Sequence, residues 1–96
     1  MPLDHEQAWP LAQRIASGHA WAEHQDEFSE VAGTDEFAIL ILRLLTAATD
    51  ERPLRWERFA YWDEPSGTIV ITSPVDPDRG TCFRPTDGRV FFETVP

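Results

Sequence analysis

The residues best suited to chemistry begin with His19, an imidazole followed four positions later by Glu23 and five later by His24. At about 100° per residue, the apolar stripe Ala8, Leu11, Ala12, Ile15, Ala16 and Ala22 centres on the direction in which His19 points. His19 is therefore expected to face the rest of the fold. Such a position suits a general acid–base group, and equally a buried histidine satisfied by a backbone partner. Glu23 lies about 40° from it around the same helix, where a carboxylate favours imidazolium and raises the pKa. His24 lies about 140° away and is expected in solvent, so the two histidines should not pair on a metal. No carboxylate stands at a spacing that completes such a site, and no metal is expected.

The cations are all arginine: eight of them and no lysine. A guanidinium matches a phosphate with a planar fork and stays charged at any working pH. Arg52, Arg55 and Arg58 precede or enter one apolar segment, while Arg79, Arg84 and Arg89 flank another. Arg58 and Arg84 sit inside those segments, where a charge needs a reason. Arg52 and Arg89 read as solvated partners of nearby acids. Cys82 is the single cysteine and excludes both an internal disulfide and a thiolate metal cluster.

The elements that must position these groups run helices first and strands second, which predicts α+β rather than a parallel α/β sheet. A first helix is expected from about Pro10 to His24; Gly18 within it suggests that something approaches closely. A second begins at Thr34 as cap, with Asp35 and Glu36 at its positive end and Phe37, Leu40, Ile41, Leu44, Leu45 and Ala48 as its apolar face. It ends before Pro53. Beyond Leu54, strands are expected near Trp56–Trp62, Thr68–Thr72, Thr81–Arg84 and Val90–Val95, with turns at Glu64–Gly67 and Pro85–Gly88. The segment from Ser73 to Gly80 carries two prolines and reads as a loop. The expected architecture is one domain over residues 1–96, with a helical half at 8–50 and a β-meander half at 54–95: two N-terminal helices packed on a four-stranded antiparallel sheet.

The composition is ordinary for a globular chain, at 42% hydrophobic residues. No apolar stretch approaches the ~18 residues of a membrane span, and the first residues lack the basic start and apolar run of a secretory leader. A cytoplasmic protein with no membrane partner is the expectation. The net charge of −9 is uneven: residues 1–50 hold nine acids and two arginines, residues 51–96 eight acids and six arginines. A phosphate ligand would favour the second half, and the global charge counts against high-affinity duplex binding.

The stretch from Arg58 to Phe92 resembles the sheet of the barnase, EndoU, colicin and RelE group of bacterial toxin nucleases, whose polymorphic-toxin and phage-associated members pair "gRtaYWd..tGtvVI" with "GTaFrPt.Gr.YF". Ile15 to His24 is similar to their first-helix motif, G-H-A-[FW]-x-K-H, and Glu27-Phe28 matches the E-F pair that follows it. The resemblance implies a fold of that type and a metal-independent endoribonuclease without cofactor, cleaving RNA, tRNA among the candidates, by 2′-OH attack on the phosphodiester. By matched position, His19, Arg58, Thr81 and Arg84 would be catalytic, with Glu23, His24, Tyr61 and Thr86 as substrate contacts and a cognate immunity protein as partner. Glu23 departs from the pattern, placing an anion where the group has lysine. The competing expectation is a catalytically degenerate acidic interaction or immunity-type protein built on the same fold.

Overall fold

The computed structural model describes residues 3–96. Helix α1 (His5–Ser17) starts five residues before Pro10, because Asp4 and Gln7 close a capping box: Gln7 N–H donates to Asp4 at 2.9 Å while the Gln7 side chain accepts from the Asp4 N–H. That cap outweighs the proline, which sits inside the helix. The helix expected to continue to His24 instead breaks at Gly18, whose backbone is extended, and restarts as α2 (His19–His24). A Cβ on Gly18 would lie 2.6 Å from the Asp78 Cγ, so the break is where another segment presses in. A single 3₁₀ turn, Gln25–Glu27, follows.

Helix α3 (Thr34–Ala47) is capped by the backbone of Gly33, with Thr34 its first helical residue, and Glu36 reaches back to the Ala32 N–H at 3.1 Å. Its buried face is Phe37, Ala38, Ile41, Leu44 and Leu45; Leu40 and Ala48 are half-buried against the same core.

Four strands follow: β1 (Asp50–Pro53), β2 (Phe59–Asp63), β3 (Thr68–Thr72) and β4 (Gly80–Phe83), antiparallel and in sequence order across the sheet. Strand β1 lies outside the expected β half, since its polar residues and terminal proline suit an edge and show no apolar alternation. Conversely, the strand expected at Val90–Val95 is a helix, α4 (Arg89–Thr94). Phe92 stacks on Trp62 with ring centroids 6.0 Å apart, and the Arg52 Nε holds the Phe92 carbonyl at 2.7 Å while its Nη2 holds that of Val95. Arg89 anchors the start of α4 through Asp50, Glu64 and Glu93. Arg52 and Arg89 are thus clamps for the C-terminal helix.

The sheet separates two apolar cores. Tyr61, Val70 and Cys82 face α1, α2 and α3, whereas Ala60, Trp62, Ile69 and Ile71 face α4. With both faces covered, β3 is buried along Thr68–Ile71 and reads in sequence as an unbroken apolar run. Helix α2 lies along β4, with His19 at the end of the loop 73–79 and His24 over Phe83. Among the described residues no helix is long and apolar enough to cross a membrane.

Candidate functional site

His19 is the first residue of α2, immediately after the break, and its partner comes from the loop between β3 and β4. One oxygen of Asp78, Oδ2, accepts the His19 backbone N–H at 3.0 Å and meets the ring Nδ1 at 2.5 Å. Asp78 is itself positioned by donating its N–H to Asp76 Oδ1 at 3.0 Å. Arg14, one turn back on α1, donates Nε and Nη2 to the Pro77 carbonyl at 3.1 and 2.7 Å, so a guanidinium flanks the loop at its base. The His19 side chain remains 38% exposed. A histidine buried for packing would be sealed; this one is tethered by Nδ1 with Nε2 left as the titrating nitrogen.

The hydrogen bond to Asp78 raises the His19 pKa above its ordinary 6.5, against the lowering effect of burial, and the charges of Asp78, Glu23 and Asp76 add to the rise. The same hydrogen bonds hold the Asp78 carboxyl below the usual range, with Arg14 contributing. The pair is an oriented acid–base group of the histidine–carboxylate kind. The Asp76 and Asp78 carboxylates come nearly sixty residues after His19, which corrects the expectation that no carboxylate completes a set around it. Ligand atoms of the three lie within 4.8 Å of one another, a spacing that would let each give one ligand to a divalent cation.

Arg84 belongs to a separate cluster. Its Nε donates to Thr68 Oγ1 at 3.0 Å and its Nη1 to the Glu27 carbonyl and Glu30 Oε1, both at 2.9 Å; Nη2 pairs with Glu30, and the group lies over the Phe28 ring. Four of its five N–H donors are spent on protein, leaving a structural clasp between β4 and the turn after α2. Glu30 is drawn down to about 2 by the Arg84 hydrogen bond. His24 joins this cluster through Glu27 at 2.6 Å and stacks on Phe83, 5.2 Å between centroids; it is half-buried, where solvent was expected, because α2 restarts and runs along β4. Glu23 is 63% exposed, 3.8 Å from the second nitrogen of His24.

The remaining candidates are dispersed. Thr81 pairs with Ile71 and lies on the α4 face of the sheet, opposite to the face on which Arg84 meets Phe28, as strand alternation requires. Tyr61 is 3% exposed within the helix-side core, and burial raises its pKa. Thr86 is exposed in the turn before α4. Arg58 donates to the Arg55 carbonyl at 3.1 Å and sits over the exposed Trp56 ring. None of the described hydrogen bonds or ion pairs of His19 reaches Arg58, Thr81 or Arg84. Cys82 is fully buried and its thiol is pushed far up by burial, which removes it as a nucleophile. A cavity of about 460 Å³ between α1 and α3 is floored by Trp9, Ala16, Ala38 and Ile39 and contains none of these candidates.

Asp78, Asp76 and Arg14 are the residues that sequence reasoning missed. The one signal was Gly18, whose need for space is filled by Asp78. The fold and site together define a small α+β domain carrying a tethered, half-exposed histidine–aspartate pair. No family model and no curated protein matches the chain.

Proposed function

We propose that the chain is a metal-independent endoribonuclease in which His19 moves the proton of the reaction. The neutral imidazole takes the 2′-OH proton at Nε2; the oxygen bonds to the adjacent phosphorus as the bond to the 5′-oxygen breaks; the imidazolium returns the proton to that leaving oxygen. The products are a 2′,3′-cyclic phosphate and a 5′-OH. The observation that carries this reading is the double tether of His19 to Asp78 with the ring half-exposed. Asp78 fixes the tautomer and stabilises the imidazolium once it forms. The resemblance of residues 15–92 to toxin nucleases supplies the substrate class.

The electrostatics divide. Asp76, Asp78 and Glu23 disfavour a phosphate at His19, while the Arg14 guanidinium flanking the loop favours one. A second reading, an acidic interaction protein, is favoured by the neutralisation of Arg84 and Arg89 by four carboxylates within an overall charge of −9. Growth separates the two. Expressed in bacteria without an immunity partner, the wild-type chain is expected to slow growth and degrade RNA, and His19→Ala to relieve both. A general acid–base group contributes about 10²–10⁴-fold, so the loss is measurable even for a slow enzyme. Equal growth at matched soluble levels would favour the interaction reading.

A further inference from the structure

The turn between β1 and β2 carries an unusual pair. Trp56 and Glu57 both have positive φ, 61° and 60°, a conformation costly for side chains of this size. It leaves the Trp56 ring 73% exposed, with the Arg58 guanidinium 5.3 Å from its centroid. A large flat ring held in water beside a cation is how proteins stack single-stranded bases.

From this turn a groove of about 360 Å³ passes Glu57, Thr72, Ser73 and Pro74 to Arg79. A second of about 450 Å³ shares Arg79 and Leu11 and continues over Gln7 and Pro10 to Arg14. Among the described residues, two guanidiniums and no carboxylate line this second groove, in a chain with more than twice as many acids as arginines. Both cations are held by carbonyls of one loop, Arg79 on Pro74 and Arg14 on Pro77, so among the described residues neither is in an ion pair and each keeps free donors. Arg84 and Arg89, by contrast, are bound by carboxylates. The first groove begins at Glu57, the chain neighbour of Trp56, and the second ends at Arg14, which holds the carbonyl of Pro77 beside Asp78.

We propose that these grooves form a track for single-stranded RNA, with Trp56 stacking a base and Arg79 and Arg14 contacting the phosphates that approach His19. The track takes its ligand from the nuclease reading and adds the residues that position it. Glu57, the one carboxylate among the lining residues of the first groove, sits where a base rather than a phosphate passes.

The test is binding without turnover. A fluorescent single-stranded 2′-O-methyl RNA lacks the attacking hydroxyl and reports affinity by anisotropy across a salt series. Trp56→Ala should weaken binding by about 5- to 100-fold. Arg14→Ala/Arg79→Ala should weaken it and lower the slope of log affinity against log salt by about 1.4, the share of two phosphate contacts. Thermal melts check that each variant is folded, and Trp56→Phe, which keeps a ring, should recover most of the binding. Absent wild-type binding, or unchanged affinity and slope in the folded double variant, overturns the track. If the oligonucleotide binds in this way while natural RNA is never cut, the track stands and the nuclease reading fails. If RNA is cut through His19 but the double variant binds normally, the reverse holds.

Discussion

At the residue scale, the proposed chemistry turns on one oxygen. Asp78 Oδ2 serves both the backbone and the ring of His19, so Asp78→Asn keeps the shape and removes the charge that stabilises imidazolium. RNA cleavage is expected to fall by about 10²-fold or more with the melting temperature little changed, read in a cleavage assay beside a thermal melt. The pair also has a defined pH window. His19 is raised above 6.5, so its contribution to stability is full below that value and fades as pH rises through the raised pKa. Asp78 is lowered below 3.8, so its contribution is full above that value and fades as pH falls through the lowered pKa. The ion pair therefore supports the fold between the two ordinary values. An NMR titration of the His19 ring should give a pKa above 6.5 in wild type and a lower one in Asp78→Asn; equal values would remove Asp78 as the cause. Glu23→Lys places a cation near His19, and cleavage should rise with a gain that shrinks as salt increases. The stripe that oriented His19 assumed one unbroken helix, and the break at Gly18 puts His19 on a separate one, so its setting was not legible from periodicity. Asp78 was not legible either, because a loop residue some sixty positions away leaves no periodic trace.

At the scale of elements, the Gly18 break creates the site, since a continuous helix would occupy the space of Asp78. Gly18→Ala puts a methyl 2.6 Å from Asp78 Cγ and should cost about 1–3 kcal/mol, together with most of the activity. Gly18→Ala/Asp78→Gly, which removes both the Cγ and the Cβ that a methyl on residue 18 would meet, should recover part of the stability but not cleavage; no recovery at all would mean that the clash lies elsewhere. Strands β2, β3 and β4 and helix α3 were legible because alternation, turn residues and a full apolar face agree. Strand β1 was not, since an edge strand of Asp50-Glu51-Arg52-Pro53 has no apolar rhythm. Residues 89–94 show the opposite error: Val90-Phe91-Phe92 is β-prone, but Phe92 finds its core as a helical residue against Trp62. Phe92→Ala should cost about 3–5 kcal/mol in chemical denaturation, as for a buried aromatic; a near-neutral effect would mean that α4 is not docked.

At the scale of the whole molecule, an acidic chain divides its cations between carboxylate-bound clasps and carbonyl-held groups. Arg84 and Arg89 are consumed by carboxylates as clasps, whereas Arg14 and Arg79 keep charge beside the loop of Asp76 and Asp78. The overall charge should make RNA cleavage pass through an optimum in salt: too little leaves acid–phosphate repulsion unscreened, too much weakens the two arginines. The most direct measurement of the central claim is the chemistry of the cut ends. Purified wild-type protein and His19→Ala, each shown folded, would be incubated with RNA in excess chelator, and the 3′ termini identified by mass spectrometry. The His19 mechanism requires 2′,3′-cyclic phosphates from wild type and at least about 10²-fold fewer from His19→Ala. Undiminished cyclic ends from His19→Ala, or no cleavage by wild type until a divalent cation is restored, would contradict it.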